Sequence, residues 1–225
     1  MATSETGIFD GTFKGFLSAA SWALASSDVT RTVRKASGTQ ANLFASLQFL
    51  PYDPERAHYL WEWLGQKGTA KQRLVYFAFL SEAEGVESLL LRYLQVLLPA
   101  TQKDRDTCRV LESEVSHLAM KVSVARERLE KRLIFTPSGS QPARCNVSPE
   151  YDILPLLSKG LRQRFGSQSW MLYDRRRHYG LLGTEGSVSL FSNRTSASPA
   201  CAFYGQPVDE KEFEVATWEE VRPAV

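Results

Sequence analysis

Apolar residues recur at three- and four-residue spacing through most of the first 132 positions, then give way to short apolar runs separated by turn residues. Phe13, Phe16, Leu17, Ala20 and Leu24, with Trp22 alongside, predict a helix over 12–25. The polar stretch 26–39, which carries Arg31, Arg34, Lys35 and Gly38, reads as a loop. Segment 43–50 fits a strand or a single helical turn equally well. Asp53-Pro54-Glu55 is a helix start. The Asp carboxylate can accept from the unpaired amides of the first turn, proline needs no amide partner there, and an acid suits the positive end of the helix dipole. That helix, 54–64, carries Tyr59, Leu60, Trp61, Trp63 and Leu64 as a dense aromatic face and stops at Gly65. Two more follow, over 69–84 (Leu74, Phe77, Ala78 and Leu80 as the stripe) and over 86–98, closed by Pro99. A long helix over about 104–132 turns Val110, Leu111, Val115, Leu118, Val122 and Leu129 inward.

Past residue 132 the texture changes. Strands are expected over 133–136 and 143–148 around a turn at 137–140, then a helix within 149–165 built on Ile153, Leu154, Leu157 and Leu161. Trp170-Met171-Leu172-Tyr173-Asp174 reads as a strand, Arg175-Arg176-Arg177 as a tight basic turn, and 178–182 and 187–191 as returning strands. Segregated helices and strands argue an α+β fold: a mainly helical part over 8–132 and a small ββαββ-like antiparallel sheet part over 133–191. A polar, then acidic tail occupies 192–225, where six carboxylates from Asp209 to Glu220 face only Lys211 and Arg222.

The chain of 225 residues has a net charge of only +2, so overall charge selects no partner. Cys108, Cys145 and Cys201 are odd in number and lack a CxxC pair, which excludes a disulfide framework and a standard zinc site. His58, His117 and His178 form no HExxH, so no metal and no cofactor are expected. The first residues lack a basic then apolar leader, and 16–25, the longest apolar-leaning stretch, is too short to span a bilayer. The expected location is cytoplasmic, without a membrane.

Local charge is more informative. Lys159, Arg162, Arg164, Arg175, Arg176 and Arg177 stand against Asp174 alone, with Phe165, Trp170, Tyr173 and Tyr179 interleaved. Guanidinium forks match phosphate oxygens, and aromatic faces stack on unpaired bases, so the six cations are candidate nucleic-acid contacts and Trp170, Tyr173 and Tyr179 candidate aromatic contacts. The plainer alternative makes the aromatics core and the arginines solvated turn residues. Asp174 and His178 are the weak candidates for catalysis, although Asp174 fits better as a turn residue that accepts hydrogen bonds and pairs with an arginine. The glycines from Gly180 to Gly186 fit hairpin turns rather than a dinucleotide fingerprint, and no nucleophile elbow or phosphate loop is present.

Three segments resemble a bacterial DNA-metabolism, DNA-repair-associated family of unknown function. Phe9-Asp10-Gly11-Thr12-Phe13-Lys14-Gly15-Phe16-Leu17 is similar to that family's YDGTFEGFL start. Pro149-Glu150-Tyr151-Asp152-Ile153-Leu154-Pro155-Leu156-Leu157 is similar to its PdyDiLPLi segment. Arg164-Phe165 followed by Gln168 to Gly180 resembles its RF..Q.W.IYD..R.YG segment, the most specific of the three. The likeness spans roughly 8–191. In the family this domain stands alone or is fused to a uracil-DNA-glycosylase-like domain, and it travels with a radical-SAM protein. The chain departs from the pattern in ARERLEKRLIF over 125–135, with Glu127 where the family has a histidine, and in Gly160-Leu161 where it has histidine-phenylalanine. A basic, aromatic C-terminal extension of the family is absent here or replaced by the acidic tail.

The resemblance implies work on DNA without supplying a reaction. The expected function is therefore a DNA-repair accessory that binds DNA, single-stranded or duplex, through the basic aromatic surface and cooperates with a radical-SAM or uracil-DNA-glycosylase-like partner. The alternatives are an enzyme acting on a DNA base or nucleotide, with Asp174 and His178 in an aromatic pocket, and a protein–protein adaptor using the aromatic helix 54–64.

Overall fold

The computed structural model describes residues 4–26, 30–36, 46–98, 105–138 and 141–192. They divide into two compact units, one running to Met120 and the other beginning at Lys121, so the boundary lies inside the long helix rather than at its end. The fold is mixed α+β.

The first unit is not purely helical. Strand β1 (Ser4–Phe9), helix α1 (Phe13–Leu24) and strand β2 (Thr30–Lys35) form a βαβ crossover, and β3 (Ser46–Phe49) pairs on the other edge of β1. Both pairings are parallel. The expected loop over 26–39 thus holds β2. Hydrophobic pattern missed it because its register partners on β1 are polar: Arg31 pairs with Glu5 at 2.9 Å, and the Thr6 and Thr32 hydroxyls lie 3.0 Å apart. The strand choice for 43–50 is the one realised.

The Phe9–Leu17 segment builds the turn from β1 into α1. The Asp10 carboxylate accepts from the Thr12 amide at 2.9 Å and from its hydroxyl at 2.8 Å, and the Thr12 hydroxyl in turn accepts from the Gly15 amide at 2.9 Å. Thr12 therefore caps the helix and Asp10 holds Thr12 in place, a local structural reason for these two residues of the motif. Thr12→Val deletes that cap and is expected to lower stability by about 1 kcal/mol, read from the urea midpoint of the full chain.

Helix α2 (Pro54–Gln66) starts as expected, with the Asp53 carboxylate accepting from the Arg56 amide at 3.1 Å. Its aromatic face divides: Leu60, Trp61 and Leu64 are buried, whereas Tyr59 is 70% exposed. Helix α3 (Thr69–Leu80) ends four residues early because the Ser81 hydroxyl donates to the Ala78 carbonyl at 2.6 Å and accepts from the Ala83 amide at 3.3 Å. Helix α4 (Val86–Leu97) follows, and α5 (Arg105–Arg132) runs from the first unit into the second. On α5, Leu111, Val115 and Val122 are buried, but Val110 lies one step off that seam and is 56% exposed. Phe9, Phe16, Leu64, Phe77 and Tyr93 fill the first core, flanked by Phe13 against Trp61, Tyr76 and Phe79.

The second unit is a five-stranded sheet in the order β4 (Thr136–Ser138), β5 (Gln141–Val147), β6 (Trp170–Asp174), β7 (Tyr179–Thr184), β8 (Ser187–Ser192). Between β5 and β6 the chain makes a 3₁₀ turn, Leu154–Leu157, and helix α6 (Ser158–Phe165). That crossover returns the chain to the end where β5 began, so β5 and β6 are parallel, and the sheet is mixed rather than wholly antiparallel. β4 also begins later than the expected 133–136 and includes Pro137. Proline is tolerated there because β4 is an edge strand, where a missing amide loses no ladder bond. Leu133 instead packs into the core with Cys145, Leu154, Leu157, Leu161, Trp170, Leu172, Leu181 and Val188.

Candidate nucleic-acid interface

The linear cluster of cations and aromatics is split by the sheet. Residues of β6 alternate, so Trp170, Leu172 and Asp174 face the side covered by α6, while Met171 and Tyr173 face the other. Trp170 is 1% exposed, with Phe165 and Phe135 at centroid distances of 5.9 and 6.3 Å, and offers no face to a base. Tyr179 also faces the covered side, with its hydroxyl hydrogen-bonded to the Asp152 carboxylate. Lys159 and Arg162 are half-buried on α6, and Arg164 is exposed, its guanidinium 5.5 Å from the Phe165 ring centre and 5.8 Å from that of Phe135. The helix cations and Tyr173 therefore lie on opposite sides of the sheet.

Asp174 is fully buried at the end of β6 and organises the basic turn. One carboxylate oxygen accepts from the amides of Arg176 at 2.7 Å and Arg177 at 3.3 Å, and the other accepts from the Arg177 guanidinium at 2.9 Å. Arg177 also donates to the carbonyls of Pro149 at 3.1 Å and Glu150 at 2.9 Å. It is thus a largely buried cross-tie, with its guanidinium engaged within the fold. The Arg176 guanidinium reaches the Glu150 carbonyl at 3.1 Å but stays exposed, and Arg175 is exposed. The His178 amide closes the turn on the Asp174 carbonyl at 2.9 Å, with φ at +60° and the side chain exposed. Asp174 and His178 are therefore not brought together in an aromatic pocket: one carboxylate is saturated by hydrogen bonds within the fold, and the imidazole lies outside it.

The side of the sheet away from α6 has a different chemistry. Arg144 stands opposite Met171 and Asn146 opposite Tyr173, then Gly180 opposite both Tyr173 and Phe191. The Tyr173 and Phe191 rings are stacked, 5.9 Å between centroids and 18° between planes, and both are half-buried. Gly180 makes this possible, since a Cβ there would lie 2.5 Å from the Phe191 ring and 2.5 Å from the Leu172 carbonyl oxygen. Among the described strand positions facing this side there is one cation, Arg144, and no carboxylate. Sequence reading found Tyr173 but missed Arg144, Asn146 and Phe191. The available signal was the two-residue alternation along β5, β6 and β8, which assigns all four to one face.

On the covered side, burial pushes the Cys145 thiol above its ordinary range, against weaker opposing effects of a backbone hydrogen bond and Arg164. Among the described residues no three His, Cys, Asp or Glu side chains are grouped to hold a metal ion, and no helix is long and apolar enough to cross a membrane.

Fold and surface together define a two-unit α+β protein with a pinned basic turn beside an aromatic sheet face that points away from α6. The chain belongs to the family of DUF4130, a domain of unknown function, whose model matches residues 84–220. That match includes the Pro149–Leu157 and Arg164–Gly180 segments and leaves out the Phe9–Leu17 segment. No curated protein and no solved structure matches the chain.

Proposed function

We propose that the protein is a non-catalytic, cytoplasmic accessory of DNA repair or DNA metabolism. It binds nucleic acid through cations of its second unit, and it works beside a radical-SAM or uracil-DNA-glycosylase-like partner. The partner and the repair context rest on the resemblance of the three segments named above. The observation that supports nucleic-acid binding is the Asp174–Arg177 cross-tie. It holds the β6–β7 turn so that Arg175 and Arg176 remain at the surface, at the end of a face that carries Arg144 and no carboxylate among its described strand positions. A turn held in this way suits phosphate contact because little loop entropy is lost when its guanidinium groups bind.

Binding of this kind releases counterions, so affinity for a labelled oligonucleotide falls steeply as salt rises. The double variant Arg175→Glu/Arg176→Glu is expected to weaken binding by about tenfold or more and to make log K against log salt shallower by roughly 1 to 2. Fluorescence anisotropy at several salt concentrations measures both. Arg177 is left intact in this variant because its loss would unfold the turn. Affinity that does not respond to salt would overturn the reading.

A further inference from the structure

We propose that the sheet face pointing away from α6 binds single-stranded nucleic acid, with a base stacked on the Tyr173–Phe191 pair. The inference rests on the nucleic-acid reading above and adds what that reading leaves open, the strandedness of the ligand. Four observations carry it. First, the face presents half-buried aromatic surface although the opposite face has its own complete core. Second, the Phe191 ring reaches over Gly180 and stacks against Tyr173, 5.9 Å between centroids and 18° between planes, so the two rings make one pre-ordered aromatic ledge. Third, Asn146 is paired in register with Tyr173, which sets a side-chain amide, both donor and acceptor, beside the ledge at the distance of a neighbouring strand. Fourth, the charges fit a polyanion: Arg144 is on the face, Arg175 and Arg176 are at its end, and no carboxylate is among its described strand positions.

Duplex DNA does not match this arrangement. Its bases are already stacked and paired, so an aromatic ledge on a sheet gains nothing from them, and only the cations would be used. An unpaired base exposes a π-face that every base possesses, which makes the ledge tolerant of sequence. Cations at the rim then follow the backbone while the rings hold bases. A peptide partner would not call for the exclusion of carboxylates, and it would leave the paired rings without a specific role.

The test uses the full chain, a fluorescein-labelled mixed-sequence oligodeoxynucleotide of about 20 nucleotides and its duplex form, at one low salt concentration. Wild type is expected to prefer the single strand. Tyr173→Leu/Phe191→Leu, which keeps apolar volume but removes both rings, is expected to weaken single-strand binding by about tenfold or more. Duplex binding stays as in wild type. Tyr173→Phe, which keeps the ring, is expected to bind as wild type does. A second readout does not depend on any variant folding: a 2-aminopurine placed in the single strand is expected to lose fluorescence on binding wild type, because stacking quenches it. Equal affinity for both strand forms without quenching, or a folded double-leucine variant with unchanged single-strand affinity, overturns this proposal while the phosphate-contact reading stands. Absence of binding to either form at low salt overturns both.

Discussion

Asp174→Ala is expected to destabilise the second unit by about 3–5 kcal/mol, the range for removing one partner of a buried ion pair. The cost has three sources, all at one carboxylate. The Arg177 guanidinium, with 11% of its side-chain surface exposed, loses the Asp174 carboxylate while still held against the carbonyls of Pro149 and Glu150. The amides of Arg176 and Arg177 lose the oxygen that satisfies them inside the turn. Burial of unpaired donors then adds the desolvation penalty of each group. Asp174→Asn is expected to fall between wild type and alanine: an amide oxygen still accepts from the backbone, but the ionic partner of Arg177 is gone. Urea unfolding of the three proteins, followed by circular dichroism, orders them. An alanine variant with the wild-type midpoint would show that the turn does not depend on the cross-tie. The experiment also bears on catalysis, because loss of function in an unfolded Asp174 variant says nothing of acid–base chemistry.

The sequence carried the helices well because their signals are local. Asp53-Pro54 starts α2 where the cap chemistry requires, and the Leu111–Val115–Val122 seam follows from a 3.6-residue repeat. The first sheet was hidden for the opposite reason. Strands β1 and β2 pair through Glu5–Arg31 and Thr6–Thr32, so stretches that read as polar loop are held by cross-strand polar contacts that only the register reveals. Parallel pairing of β5 and β6 was likewise a matter of path, set by the α6 crossover and not by the residues of either strand. At the candidate site, composition misled more than pattern did. Six cations and several aromatics adjacent in sequence suggested a single surface, yet strand alternation sends Trp170 and Asp174 to one side and Tyr173 to the other. Arg177 was counted as a surface charge because nothing local distinguishes it from Arg175. Its burial depends on the carbonyls of Pro149 and Glu150, which come from a loop 27 or 28 residues earlier.

Trp170 and Tyr173 make the sharpest test of that division, since they sit three residues apart on one strand and face opposite ways. Trp170→Ala is expected to cost about 3–5 kcal/mol, the usual range for emptying a large buried aromatic site. The indole is 1% exposed and boxed in by Phe135, Phe165 and the backbone of Gly183, where an added Cβ would come within 2.2 Å of its ring. Neighbours held by a sheet on one side and by α6 on the other have little freedom to close the cavity, which keeps the expected loss toward the upper end. Tyr173→Leu removes a half-buried ring from the side away from α6, so its effect on the urea midpoint is expected to be clearly smaller, and its effect on single-strand affinity larger. The two substitutions therefore separate on two axes: Trp170 moves stability, and Tyr173 moves binding. If Trp170→Ala kept the wild-type midpoint but abolished binding, the assignment of faces would be reversed, and the base-stacking surface would belong on the side that α6 covers.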